Sequence, residues 1–321
     1  MTLPTKRVLQ SACRSVAARR RIAALVRKTE VLPSRMTLLP NTEIHYKTEN
    51  FQLTGSFKLR GASAKLSSVP VDRPVITASS GNHGIACSLT AQRTGHKLTV
   101  VLPETVIDQK RKAIEAFGTR VVIAGADSSL AEVHARMLAD TEGHTYVSPY
   151  NDAEVIAGQG TIGLEILEQL PRVDNIFVSM GGGGLISGIG SVVKSVSPDT
   201  RIIGVSATNS AALAASIKAG EVVETEHLDT LADGVAGGVD ENSLTLPLAS
   251  DAIDQIVHVN EDQIAEALRV LAWQENMIVE GAAALALAPL LIEPDNYAGA
   301  INVVLLCGAN YDKDRIAKVL L

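Results

Sequence analysis

The chain has 321 residues, 46% of them hydrophobic and only 3% aromatic, with a formal net charge of -6 and a pI near 5.7. That is enough apolar material for one large core or two modest ones. An acidic chain this poor in aromatics offers neither a phosphate-tracking basic surface nor a base-stacking platform, so nucleic acid is not expected as a partner.

The first 29 residues hold eight Lys or Arg and no Asp or Glu, a composition shared with organelle transit peptides. Because "SVAARRRIAALVRKT" leads straight into the patterned part of the chain, the segment reads instead as an exposed basic amphipathic helix. From residue 74 onward, short apolar runs alternate with helical stretches. "PVITAS", "LTVVLP", "RVVIAG" and "TYVSPY" read as strands; "GNHGIACSLTAQRTG", "QKRKAIEAFG" and "SSLAEVHARMLADTEG" read as the helices between them. The same rhythm returns with the strand "NIFVSM", the helix "LISGIGSVVKSV" and the strand "RIIGVSA", and closes on the buried strand of "INVVLLCGAN". Strands of four to six residues separated by longer helices predict parallel βαβ units in a three-layer α/β fold. The apolar runs "INVVLLCGAN" and "EGAAALALAPLLI" are too short or too interrupted for the roughly 20 residues of a membrane span, so no membrane association is expected. Cys13, Cys87 and Cys307 are odd in number, far apart and without ligand spacing, which points to a reducing cytoplasm and against disulfides or a structural zinc.

Four stretches carry chemistry. In "TGSFKLRGASAKL", Lys58 sits between Phe57 and Leu59; taken alone it is a surface lysine. "SMGGGGLISG" follows a strand and opens a helix, and its four successive glycines leave the backbone N–H groups free to close around an anion. It lacks the Lys-Ser/Thr of a P-loop and the glycine spacing and acidic partner of a dinucleotide fold, so the cradle suits a small phosphorylated cofactor. "TASSGNHGIA" gathers hydroxyls, an amide and an imidazole at another helix N-terminus, either as a carboxylate receptor or as an ordinary turn capped by Ser79 or Ser80. "VVLLCGANYD" sets Cys307 and Asn310 at the carboxyl end of a buried strand, where open α/β sheets place ligand-facing residues.

"TGSFKLRGA", "SSGNHG", "GGGGLISG", "TLADGVAGG" and "CGAN", in this order along nearly the whole chain, resemble the fold-type II pyridoxal-phosphate enzymes of the threonine/serine dehydratase and serine racemase group. The resemblance implies two three-layer α/β/α domains with mostly parallel sheets, the larger from residues 1–74 and 150–321 and the smaller from 75–149, with pyridoxal 5'-phosphate in the cleft. It implies that Lys58 is the Schiff-base lysine, that Phe57 flanks the cofactor ring and that Asn82 bonds its phenolic oxygen. It further implies that Gly181, Gly182, Gly183, Gly184 and Leu185 hold its phosphate, and that Cys307 faces its pyridine nitrogen. Ser79, Ser80, Asn82, His83 and Gly237 would contact the substrate, with Ser80 also matching the second acid/base of the racemases. Glu280 aligns with a family glutamate near the cofactor, although as a helix N-terminal carboxylate it needs no such role.

The implied reaction is β-elimination of water from a threonine- or serine-like amino acid, giving a 2-oxo acid and ammonia. Racemisation is the alternative, and a non-catalytic binder of a phosphorylated metabolite is a distant one. Cys307 is a weak partner for the ring nitrogen, and Gly237 and Gly238 stand where mammalian-type racemases carry serines; both departures favour elimination. Ser206 and Ala212 replace the acidic ligands with which many relatives bind a divalent cation, so no such metal is expected. "IIGVSATNSAAL" and "TLADGVAGGVDENS" look most like dehydratases assigned to hydroxyectoine utilisation, and hydroxyaspartate is a further possible substrate. Only eleven residues follow the "CGAN" motif, too few for the C-terminal regulatory domain of biosynthetic threonine dehydratases. A homodimer is expected by analogy with the family.

Overall fold

The structure, a computed structural model, describes residues 3–321. Ten strands, numbered in chain order, form two sheets. The smaller sheet has the order β5-β4-β3-β6, from β3 (Val75–Ala78), β4 (Leu98–Leu102), β5 (Arg120–Ile123) and β6 (Thr145–Tyr146), and every pairing in it is parallel. The larger has the order β1-β2-β10-β7-β8-β9, from β1 (Val31–Pro33), β2 (Glu43–Lys47), β7 (Asn175–Ser179), β8 (Arg201–Ala207), β9 (Gln255–Val259) and β10 (Ile301–Leu305). Only β1 runs antiparallel to its neighbour.

All five residues of β4 and of β7 are buried, because helices cover both faces of a parallel sheet, and such strands read as unbroken apolar runs. The strands that the sequence pattern does not single out are β1, β2 and β9. β1 is three residues ending in Pro33, β2 carries Glu, His and Lys among its five, and four of the five residues of β9 keep some exposure. "TYVSPY" is extended only at Thr145–Tyr146; the rest of it turns into the cleft described below.

In chain order the helices are α1 (Lys6–Ile22), α2 (Lys58–Leu66), α3 (Asn82–Thr94), α4 (Asp108–Glu115), α5 (Ser128–Glu142), α6 (Ala153–Gln169), α7 (Gly184–Val196), α8 (Ala212–Ala219), α9 (Thr245–Ala252), α10 (Glu261–Trp273), α11 (Gly281–Ala284), α12 (Ala288–Ile292) and α13 (Lys313–Leu320). The amphipathic N-terminal helix α1 is less exposed than expected. Val8, Ala12, Ala18 and Ile22 are buried, the helix packs on α6 and α7, and its basic face pairs Arg19 with Glu168 and Arg21 with Glu154.

Two glycines let α2, α6 and α7 approach almost backbone to backbone. A Cβ at Gly158 would lie 2.4 Å from the Arg60 carbonyl oxygen, and one at Gly188 would lie 2.4 Å from that of Ile156. Helix α2 also gives Leu59, Ala62 and Leu66 to the core beneath the smaller sheet, so it packs on both halves of the molecule.

Beneath α2 lies a charge network out of contact with water. Arg60 donates to Glu49 at 2.9 and 2.8 Å and to Glu165 at 2.6 and 2.8 Å, and Lys47 donates to Glu165 at 2.6 Å. Burial opposes ionisation of Glu49, but the Arg60 guanidinium outweighs it and holds the carboxyl below its usual range. Two cations and two carboxylates balance, so no net charge is left in the interior.

Candidate active site

The loops after β3, β7 and β10 leave the carboxyl ends of parallel strands, the edge at which open α/β sheets bind ligands. The segment before α2 is laced to the loop after β10. Phe57 N–H donates to the Cys307 carbonyl at 3.0 Å, Ala309 N–H to that of Gly55 at 2.8 Å, and Ser56 and Gly308 form an isolated antiparallel bridge. This lacing delivers Lys58 as the first residue of α2, with its ammonium donating to the Pro149 carbonyl at 2.9 Å and lying 5.3 Å from the centre of the Phe57 ring. Burial lowers Lys58 to about 8, against the opposing pull of the Glu280 carboxylate. About a tenth of this amine is therefore neutral and nucleophilic at pH 7, far more than for an ordinary lysine.

After β7 the chain passes through Gly181–Gly184 into α7. Gly183 has φ +88°, a Cβ at Gly181 would lie 2.9 Å from the Val235 carbonyl, and one at Gly182 would lie 2.6 Å from the Tyr150 ring. Among the described residues, no backbone N–H from Gly181 to Leu185 donates to a protein acceptor. Five unpaired donors at the start of a thirteen-residue helix form an anion cradle, a fit for a phosphate group.

The turn after β3 presents Ser79, Ser80 and Asn82, all half-buried, at the start of α3. Ser79 Oγ accepts from Gly81 N–H at 3.2 Å, while the Ser80 hydroxyl and the N–H groups of Asn82, His83 and Gly84 have no protein partner among the described residues. His83 departs from expectation. Its ring is buried, with Nε2 3.1 Å from the Val147 carbonyl, and burial together with the Lys58 cation lowers it to about 3. The imidazole is neutral and turned into the protein, so only the backbone of His83 faces an incoming carboxylate.

Glu280 stands at the N-cap position of α11, its buried carboxyl beside Asn82, Cys307 and Asn310. Asn82 Nδ2 donates to its Oε1 and Oε2 at 3.1 and 3.0 Å, Asn310 N–H donates to Oε2 at 3.2 Å, and Cys307 Sγ lies 3.8 Å from Oε1. Burial, aided by Asp233, raises Glu280 to about 7, and the same burial beside Glu280 keeps the Cys307 thiol protonated. Gly237 lies on an exposed loop with φ +129° and donates its N–H to Ser210 Oγ at 3.1 Å. Ser206 is buried near the end of β8 and Ala212 opens α8.

Sequence reasoning missed Pro149, Tyr150 and Asp240, and placed Asn310 at a ligand-facing strand end without a specific partner. The Tyr150 ring lies against Gly182, and its hydroxyl donates to Asp240 Oδ1 at 2.8 Å while accepting from Asp240 N–H at 2.9 Å. The signal was the "SPY" that follows β6 at a carboxyl edge, hidden by assigning it to the strand. Asp240 also accepts from Asn151 at 2.9 Å and Arg136 at 3.2 Å.

A lysine with a depressed pKa, an anion cradle and a second helix N-terminus around one cleft define an enzyme built on an amine-reactive phosphorylated cofactor. Residues 22–308 match the family model described as pyridoxal-phosphate dependent enzyme, and the chain belongs to that family. Its cofactor is pyridoxal phosphate. The chain is 36% identical over 307 residues to an L-threonine ammonia-lyase of Thermotoga maritima, covering 94% of this chain and 76% of that one. It is similar in structure to the processed threonine deaminase isoform 2 of Solanum lycopersicum, with a TM-score of 0.93 and 32% identity over 99% of this chain and 89% of that one. Maize serine racemase follows with a TM-score of 0.89 and 28% identity, covering 96% of this chain and 95% of the other.

Proposed function

We infer that this chain is a pyridoxal-phosphate-dependent ammonia-lyase that converts a threonine- or serine-like β-hydroxy amino acid to a 2-oxo acid and ammonia. The observation that carries the reading is the Lys58 amine, lowered to about 8, hydrogen-bonded to the Pro149 carbonyl beside Tyr150, whose ring lies against the glycine cradle with its unpaired N–H groups. When bound, the cofactor supplies an electron sink conjugated to the substrate Cα.

This chain's residues do the rest. Lys58 would hold the cofactor through its side-chain nitrogen, and the neutral amine would serve as the base for the substrate Cα proton. The N–H groups of Gly181, Gly182, Gly183, Gly184 and Leu185 would bind the phosphate, and Phe57 would pack beside the ring. Asn82 would bond the phenolic oxygen, and the neutral Cys307 thiol would serve the pyridine nitrogen without adding charge. Ser79, Ser80 and the N–H groups of Asn82 and His83 would receive the substrate carboxylate, and Gly237 would border the substrate side chain.

Racemisation is the second reading, supported by the Ser80 hydroxyl, which has no protein partner among the described residues, and by the likeness to maize serine racemase. Hydroxyaspartate is less favoured, since Arg136 at the cleft rim is already paired with Glu132 and Asp240. Substrates derived from hydroxyectoine rest on the motif likeness alone. We also propose a cytoplasmic homodimer, consistent with three free thiols, and a division at residues 75–149 with α2 shared between the halves.

The test is 2-oxo acid release by cofactor-loaded protein from L- and D-serine, threonine, the hydroxyaspartate diastereomers and hydroxyectoine-derived amino acids, with chiral analysis of what remains. Preferential oxo-acid release supports elimination, and racemised substrate without oxo acid overturns it. Borohydride should fix the cofactor on Lys58, and Lys58→Ala should lose at least about a thousandfold in turnover.

A further inference from the structure

Asn310 ties together three segments of the cleft. Its Nδ2 donates to the Thr54 carbonyl at 2.8 Å and to Asn82 Oδ1 at 2.7 Å, and its backbone N–H donates to Glu280. Gly55, at φ +71°, makes room for it: a Cβ there would lie 2.9 Å from Asn310 Oδ1. On its other side the Asn82 amide places Nδ2 against both carboxyl oxygens of Glu280.

The two neighbours of Asn82 constrain it unequally. Glu280, raised to about 7, exists in both protonation states near neutral pH, and a protonated carboxyl can face either end of an amide. Asn310 Nδ2 can only donate, and its second bond to the Thr54 carbonyl holds it in place. Reversing the Asn82 amide would set Asn82 Nδ2 against that donor. Asn310 is thus the neighbour that permits one orientation only.

We propose that Asn310 is a positioning residue that locks the Asn82 amide with its N–H groups toward Glu280 and the cleft, so that Asn82 presents a donor to an anionic oxygen of the cofactor. The proposal rests on the reading of this cleft as the cofactor site. Without Asn310 the amide is free to turn, and in the reversed state it presents an acceptor to that same oxygen.

The test is a double-mutant cycle of Asn310→Ala and Asn82→Ala, read by equilibrium affinity for pyridoxal phosphate and by pH titration of the bound cofactor's absorbance. One uncharged hydrogen bond corresponds to roughly tenfold in affinity. Asn310→Ala is therefore expected to weaken cofactor binding about tenfold when Asn82 is present and less than about twofold when it is absent. The titration midpoint should shift in both single variants, with no further shift in the double one. Asn310→Asp, which keeps the shape but replaces the donor with an oxygen, should behave like Asn310→Ala and decides the matter should the alanine variant fold poorly. Additive losses, or both Asn310 variants keeping wild-type affinity and midpoint, overturn the proposal while leaving the cofactor site intact. Failure of borohydride to fix any cofactor on wild-type Lys58 overturns the cofactor reading and the proposal together.

Discussion

Glu280→Gln should stabilise the cofactor-free protein at alkaline pH and leave it unchanged in acid. Burial raises this carboxyl from 4.5 to about 7, because its ionised form is desolvated and its two amide donors compensate only in part. The folded state therefore binds the proton more tightly than the unfolded chain, and stability falls as pH rises from about 4.5 to about 7. At 1.36 kcal/mol per pH unit, that interval corresponds to ~3 kcal/mol, absent below pH 4.5 and complete above pH 7. Glutamine keeps an acceptor for Asn82 and Asn310 without the charge. Urea denaturation of both apo proteins at pH 5, 6, 7 and 8 would measure the difference directly. Wild-type and variant curves running parallel across that range would show that Glu280 ionises normally, and the account of a desolvated carboxyl in this cleft would be wrong.

Glu165→Gln leaves Arg60 and Lys47 with a single buried carboxylate and should cost about 3–5 kcal/mol in urea unfolding, whereas Glu168→Gln at the surface should cost under about 1 kcal/mol and respond to salt. Equal costs for the two would contradict the network. Gly182→Ala forces a Cβ to within 2.6 Å of the Tyr150 ring and should abolish cofactor retention on dialysis while the apo protein stays folded. Gly183→Ala must adopt a left-handed backbone at φ +88° and should lower stability by about 1–2 kcal/mol as well; an unchanged thermal midpoint would argue against that strain.

The parallel strands and the glycine cradle were legible because their physics is local. A strand covered on both faces is mostly apolar, as β4 and β7 are, and four glycines between a strand and a helix leave the backbone open to close approach. Lys58, Asn82, Cys307 and Glu280 were singled out by their motifs, and their roles were implied by resemblance; their contacts were not legible. Nothing in a linear sequence says that Lys58 faces the Pro149 carbonyl, that the His83 ring turns inward, or that Glu280 receives Asn82 from 198 residues away. Short or polar strands such as β1, β2 and β9 escaped for the same reason, since their pairing rather than their composition defines them. Sequence determined which elements form and which residue types reach the carboxyl edges of the sheets. Tertiary structure decided the pKa values and the orientations, because desolvation and hydrogen-bond partners depend on what distant segments bring to the same point.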